Sequence, residues 1–407
     1  MRLTHLALAH FRNYAQEDVE PAPGANVLLG DNAQGKSNLL EAIVCLSTTR
    51  SYRTSVDRHL INRAFLDEVI PYSRLVAHLE GGPVHTIELV VTLEQENGLV
   101  RARRHLRLDG APHRLLDALG SLPTVLFTPD DILLVGGPPA GRRRYLDVLL
   151  CQASRPYCRA LSLYNRSLLQ RNSLLRLLRQ RQSDPDQLHY WDELLAEHGA
   201  ELTAARASAV AEIAAEATEV HGRLAGGEQL GVAYRPAGDY AYAGSDTAAV
   251  AAALRLQYGA HRQTDIERGL TTIGPHRDDL GILLAGQDVS AFGSRGQMRT
   301  IALALRLAEA DYLATTLGRQ PVLLMDDVMS ELDAKRRHAL EEAMLDSSQS
   351  FVTDLDQAPF SPHFLAAARL FRICAGRLVA FRPGDGGSAY PRGEDTWAES
   401  EPPFGQR

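Results

Sequence analysis

The chain has 407 residues, 45% of them hydrophobic and 23% charged, with a formal net charge of −7. That suits two or three domains around a substantial core. No run reaches the ~20 apolar residues of a membrane span and the N-terminus lacks an apolar leader, so the chain is read as cytoplasmic.

Residues 1 to about 110 read as an α/β start with strands following. Ala25–Leu29 is an apolar run entering a Gly-rich turn, and Lys36–Leu46 has helical spacing. Ser73–Leu79, His85–Leu93 and Leu99–Leu108 show strand-like alternation, separated by turn signals at Gly81-Gly82-Pro83 and Asn97-Gly98. From Pro139 the pattern becomes helical. Arg155–Gln182 puts Leu161, Tyr164, Leu168, Leu175 and Leu178 on one face. Asp184-Pro185 then reads as an N-cap with proline at N1, opening a second long helix to Val220. The pair predicts an antiparallel helical hairpin or short coiled-coil arm. Asp279–Leu284, Val322–Met325 and Phe351–Thr353 read as strands, Gly296–Thr315 as a long helix, and Leu370–Cys374 with Arg377–Phe381 as a terminal hairpin. Gly, Pro, Ser and acids dominate from Pro383, predicting a flexible tail. The expected division is a head split between 1–135 and 265–382, a helical arm at 136–264, and the tail at 383–407.

Four cysteines (Cys45, Cys151, Cys158, Cys374) match no common zinc spacing and are expected to be free, mostly buried thiols. The net charge conceals a strong local pattern. Gly141–Gln182 carries ten arginines against one acid, and Ser183–Val220 nine acids against one base. Charge placement therefore says more about partners than the total does.

Gly30-Asp31-Asn32-Ala33-Gln34-Gly35-Lys36-Ser37 fits G-x-x-x-x-G-K-[ST], the Walker A loop, between a predicted strand and a predicted helix as that motif requires. Its glycines allow backbone N–H groups to wrap phosphates, and the helix start, with Asn38 next in line, adds a favourable field. Lys36 is one of only two lysines, the other being Lys335, in a chain that otherwise uses arginine. A compact ammonium differs from a guanidinium fork, so its placement here points to the β/γ-phosphates of ATP. Ser37 would ligate Mg²⁺. Pro321–Met325 is an apolar run ending in Asp326-Asp327, the form of a Walker B strand. Asp326 would hold Mg²⁺ and Asp327 would polarise the attacking water. A buried strand followed by an Asp-Asp turn is the plainer alternative. The 290 residues between Lys36 and Asp326 suit an ATPase head split by an insertion. Gly293-Ser294-Arg295-Gly296-Gln297 reads as a capping box and also as a signature loop serving the nucleotide of a second subunit. Ser330–Asp333 reads as another capping box, and it resembles the D-loop of ABC ATPases, which would touch a partner subunit.

The order of these motifs resembles the ABC-type heads of the SMC and RecF group. Phe11-Arg12-Asn13-Tyr14, Ser51-Tyr52-Arg53-Thr54, Arg142–Asp147, Gln170-Arg171-Asn172 and Gly274–Leu280 are similar to segments of the RecF family, and the resemblance runs from residue 1 to about 382. It implies an α/β fold with an ABC-type P-loop head (mixed sheet, flanking helices, antiparallel β lobe) and a short coiled-coil-like arm. It further implies an ATP-dependent homodimer that binds gapped or duplex DNA and helps RecR and RecO place RecA, with a slow ATPase acting as a switch. Arg12 would contact phosphates; Ser294, Gly296 and Gln297 would act in the signature loop. The chain departs from ABC transporters where Asp327 replaces a glutamate and Thr353-Asp354 stand in place of a switch histidine. No convincing Q-loop glutamine lies between Leu122 and Asp131. The alternatives are a transporter nucleotide-binding subunit and an SMC-like structural protein.

Clustered arginines suit a polyanionic duplex. Arg142, Arg143, Arg144 and Arg171, with others of the arm and Arg101, Arg103, Arg104 and Arg107, are the candidate DNA contacts. Mutual pairing of the arm's basic and acidic helices is the competing expectation.

Overall fold

A computed structural model describes residues 1–96, 99–238 and 246–381. The turn expected at Asn97-Gly98 and the tail at 383–407 lie outside the described residues.

The chain opens with β1 (Arg2–Phe11) and β2 (Tyr14–Val19), then β3 (Gly24–Leu29) feeds α1 (Lys36–Thr48). A meander follows: β4 (Tyr72–Glu80), β5 (Thr86–Glu96), β6 (Leu99–Leu108) and β7 (Ala111–His113). β8 (Thr124–Phe127) leads into α2 (Ile132–Gly136), α3 (Pro139–Ala153), α4 (Arg155–Arg179) and α5 (Leu188–Ala225). Next come β9 (Leu230–Arg235), α6 (Thr247–Arg268), β10 (Asp279–Leu284), β11 (Gln287–Asp288), α7 (Val289–Phe292) and α8 (Arg295–Leu317). The chain then returns to the centre with β12 (Val322–Met325), α9 (Ala334–Asp346), β13 (Gln349–Asp354), α10 (Pro362–Ala367), β14 (Arg369–Cys374) and β15 (Arg377–Phe381).

Three sheets result among the described residues. The amino-terminal lobe is antiparallel, ordered β2-β1-β4-β5-β6-β7, and a small sheet is ordered β11-β10-β9. The central sheet is ordered β15-β14-β3-β13-β12-β8; five strands run parallel and β15 is an antiparallel edge. Both faces of this sheet are covered, and the period-2 geometry of a strand divides its side chains cleanly. Leu28, Val322, Leu324 and Phe351 enter the cluster beneath α1 and the antiparallel lobe. Val27, Leu29, Leu323, Met325 and Val352 enter the cluster shared with the helices on the opposite side.

α4 and α5 pack antiparallel, since Tyr157 meets Arg206 while Arg171 meets Asp192. Ser154 caps α4, whereas Asp184 caps a 3-10 turn at Pro185–Gln187 that precedes α5. α5 spans 38 residues, about 57 Å at the ordinary helical rise. The hairpin does not project freely. Leu195, Val210 and Ile213 of α5 share one apolar cluster with Ile301, Leu305 and Ala308 of α8. The cysteines are free and mostly buried, as expected: Cys45, Cys151 and Cys158 are buried and Cys374 is half-buried.

Candidate nucleotide site

β3 lies between β13 and β14, and β13 lies between β3 and β12. The carboxyl ends of β3, β13 and β12 therefore bring the phosphate loop, Asp354 and Asp326-Asp327 to one edge of the sheet. Open parallel sheets gather their ligands at this edge.

The loop's glycines are required by space as well as by conformation. Gly30 has φ 156°, and a Cβ there would lie 2.4 Å from the Ile373 carbonyl oxygen. Gly35 has φ 122°, and a Cβ there would lie 2.8–3.0 Å from the Asn13 amide and Tyr14 hydroxyl. Lys36 is 4% exposed, and its ammonium donates to the carbonyls of Gly30 at 2.6 Å and Asp31 at 3.1 Å. Gln34 pins the loop to the β14–β15 turn: its side-chain oxygen accepts from the Ala375 N–H at 2.6 Å and its carbonyl from Gly376 at 3.0 Å. Asp31, Asn32 and Ala33 are exposed, and Ser37 and Asn38 are half-buried. Side chains of Ser154, Asp246, Ser294, Asp333 and Ser361 cap α4, α6, α8, α9 and α10, whereas α1, like α2, α3 and α5, has no side-chain cap and no acid in its first turn. Its leading N–H groups and positive dipole end are left for an anion.

Arg12, in a left-handed backbone (φ 55°), is held bidentate by the fully buried Glu41 at 2.8 and 2.5 Å. Asn13 donates to the Gln34 carbonyl and accepts from Asn38, which in turn accepts from Arg53 at 2.7 Å. Arg12, Asn38, Arg53, Arg58 and Arg63 line a groove of about 920 Å³ beside the phosphate loop.

At the Walker B end all four residues of β12 are buried. The Tyr52 hydroxyl donates to Asp326 Oδ2 at 2.7 Å, and the Thr353 hydroxyl lies 3.2 Å from Asp326 Oδ1 and 3.2 Å from Asp327 Oδ1. Burial, then the charge of Asp326, push the Tyr52 phenol well above its usual range, so it remains a donor. Asp327 has φ 52°, rare for a non-glycine residue, and its N–H donates to Thr353 Oγ1 at 2.9 Å. Asp354 occupies the place expected of a switch histidine. It is 5% exposed, its Oδ1 accepts from the Leu355 N–H at 2.7 Å, and its Oδ2 is buried without a partner. Burial raises its carboxyl, and the nearby charge of Asp327 adds to that.

Ser294 and Gln297 form the expected reciprocal cap on α8, with bonds of 3.2 and 2.9 Å, and Ser294 and Gly296 are exposed. No hydrogen bond among the described residues joins Ser294, Gly296 or Gln297 to the phosphate loop; Gln297 instead reaches Glu228 at 3.1 Å. The second capping box is corrected. Asp333, not Ser330, caps α9 by accepting from the Arg336 N–H at 3.0 Å, while Glu331 pairs with Arg299 of α8 at 2.7 Å.

The RecF/RecN/SMC N terminal domain family matches residues 2–374. A protein of Chloroflexus aggregans named DNA replication and repair protein RecF is 44% identical over 393 residues, 93% of this chain and 100% of that one. A Symbiobacterium thermophilum protein of the same name is 41% identical, covering 93% and 98%. The chain belongs to the RecF family. A solved structure of the recombination mediator protein RecF-ATPrS in the RecFOR pathway superposes with TM-score 0.82 at 31% identity, over 93% of this chain and 98% of that one. An SMC head bound to the C-terminal winged helix domain of ScpA, at TM-score 0.52 and 15% identity, shares the fold. The ABC-type head read from the sequence is thus the RecF head, and the transporter alternative is dropped.

The candidate DNA contacts of this RecF-family chain divide sharply. Arg171 is fully buried, donating to Asp192 at 2.8 Å, Asp265 at 2.7 Å and Thr271 at 2.9 Å, with its guanidinium 5.4 Å from the Tyr258 ring centre. Arg142 is 6% exposed and grips Asp279 through two bonds of 2.7 and 2.9 Å. Both are corrected to internal struts, because a buried guanidinium already matched to carboxylates cannot reach a phosphate. Arg143 is half-buried and donates to the Asp278 carbonyl at 2.9 Å. Arg144 is exposed, as are Arg159, Arg166, Arg176, Arg179 and Arg181 of the arm, and none of these pairs with a carboxylate among the described residues. On β6, Arg104 is tied to Asp57 and Arg103 to Glu94. The arm's opposite charges thus meet in its core at Arg171 and Asp192, while its surface arginines remain in solvent. Sequence reading missed Tyr52, Glu41 and Asn13 as site residues, because their partners lie 274, 29 and 25 residues away.

Proposed function

We propose that this chain is an ATP-dependent DNA-binding clamp of RecF type. The observation that carries the reading is Lys36: a buried ammonium satisfied by carbonyls of its own loop, at the uncapped start of α1. A phosphate group would replace those weak acceptors with charged ones and take up the free N–H groups of the helix start. Ser37 and Asp326, at the same edge of the sheet, would supply oxygen donors of the kind Mg²⁺ prefers, and Mg²⁺ bound there would neutralise phosphate charge. Arg12 and Arg53 line the adjoining groove and would meet the polyphosphate or the nucleoside. Asp327 orients the attacking water, and hydrolysis is slow enough to serve as a switch. The exposed Ser294 loop serves the nucleotide of a second copy, so that ATP closes a homodimer.

DNA, gapped or duplex, is held by the surface arginines through its backbone without sequence preference. The clamp works with RecR and RecO to load RecA in recombinational repair and replication restart, as family membership supports. Sedimentation with and without ATP and gapped DNA tests the reading. Wild type dimerises with ATP, whereas Lys36→Arg and Ser294→Arg remain monomeric. Dimers unaffected by both substitutions would sink the composite site.

A further inference from the structure

The segment Ser51-Tyr52-Arg53-Thr54 sits between the two halves of the site. Its first two side chains reach different parts of the site. Ser51 Oγ donates at 2.5 Å to Glu41, the carboxylate that also grips Arg12. The same Oγ accepts from the N–H groups of Arg53 and Thr54 at 2.9 and 3.0 Å, which fixes the turn. From that anchored turn Tyr52 donates to Asp326 Oδ2 at 2.7 Å. Thr353 stands 3.2 Å from the other oxygen of the same carboxylate. Tyr52 is thus the dedicated donor to Asp326, because the single Thr353 proton is shared between Asp326 Oδ1 and Asp327 Oδ1, and each Asp326 oxygen keeps a lone pair to spare. A carboxylate anchored by a fixed phenol turns less freely, which is what a metal ligand needs from its surroundings.

We infer that Tyr52 is a positioning residue for the metal: it fixes the Asp326 carboxylate for Mg²⁺ and, through Ser51 and Glu41, ties that carboxylate to Arg12. The inference rests on the ATP–Mg²⁺ reading. It makes one loop the mechanical link between the phosphate-side arginine and the metal ligand, so that movement of Arg12 toward a phosphate is felt at Asp326.

The test is the affinity of the full-length chain for a fluorescent ATP analogue, measured with saturating Mg²⁺ and again in EDTA, for wild type, Tyr52→Phe and Ser51→Ala. Removing an outer-shell partner of a metal ligand typically costs 10–100-fold in metal affinity, so Tyr52→Phe should lower the ratio of the two affinities about tenfold. Ser51→Ala keeps the phenol but frees its anchor and should lower the ratio about threefold. A merely structural role moves both affinities together and leaves the ratio at the wild-type value, which overturns the inference. If Tyr52→Phe does not fold, the Ser51→Ala ratio decides by the same criterion. A wild-type ratio near one would instead overturn the underlying Mg²⁺ reading, so the two failures are distinguishable.

Discussion

Lys36 and Arg171 are both buried cations, 4% and 0% exposed, yet their surroundings answer them differently. Arg171 meets two carboxylates, Asp192 and Asp265, and a threonine hydroxyl. Its charge is cancelled inside the protein. Lys36 meets two carbonyl oxygens and no carboxylate among the described residues. For cations this deeply buried, burial alone thus does not separate a strut from a ligand site; the sign of the nearest partner does, whereas the half-buried Arg12 pairs with Glu41 and still faces the groove. A cation neutralised from within holds elements together, and one left with dipoles alone is prepared for an anion from outside.

The contrast predicts opposite mutational behaviour. Arg171→Leu leaves the buried Asp265 without a cation and Asp192 with Arg262 alone, and should destabilise the fold by about 3–5 kcal/mol in chemical denaturation, with ATP affinity of the folded fraction retained. Lys36→Ala should do the reverse, weakening ATP binding on the order of 100-fold, the loss of about two charged hydrogen bonds, while the denaturation midpoint barely moves. Equal loss of stability in both variants would break the distinction. Replacing the exposed Arg144, Arg159 and Arg166 by Glu should weaken gapped-DNA binding about tenfold. The log–log salt slope should flatten by about 0.9 for each DNA phosphate that is no longer neutralised, with ATP affinity kept. An unchanged slope would move the DNA track elsewhere.

A pH effect concerns the same polar core as Arg171. His276 faces the Tyr164 hydroxyl at 2.7 Å and the Thr271 carbonyl at 3.1 Å, and burial lowers its pKa from 6.5 to about 4. Between those values the unfolded chain holds a proton that the folded chain does not. The contribution of His276 is therefore complete above pH 6.5 and lost as pH falls to about 4. Thermal melts should drop by about a few degrees across that window, and His276→Gln should flatten the drop.

The phosphate loop was legible because its logic is local: two glycines, a lysine and a helix start within eight residues. Walker B was legible from four consecutive apolar residues that form a strand covered on both faces. β1 was harder, because a register shift between Leu3 and His5 breaks its alternation. The roles of Arg142 and Arg171 were hidden for a different reason. Nothing near them in sequence announces that Asp279 and Asp265, 137 and 94 residues onward, will neutralise them. Local chemistry names the site, whereas long-range pairing decides which of its apparent members are available.

The place of β3 in the central sheet has a consequence for synthesis. Its neighbours, β13 and β14, are among the last strands to be made. A ribosome adding 5–20 residues per second needs roughly 15–65 s between them. Throughout that interval the Gly30–Ser37 segment is translated but unsupported, and Gln34 lacks the Ala375 and Gly376 amides that shape it. Nucleotide affinity should therefore arise only when the chain is nearly complete, making bound ATP a marker of finished molecules on which truncated products cannot draw.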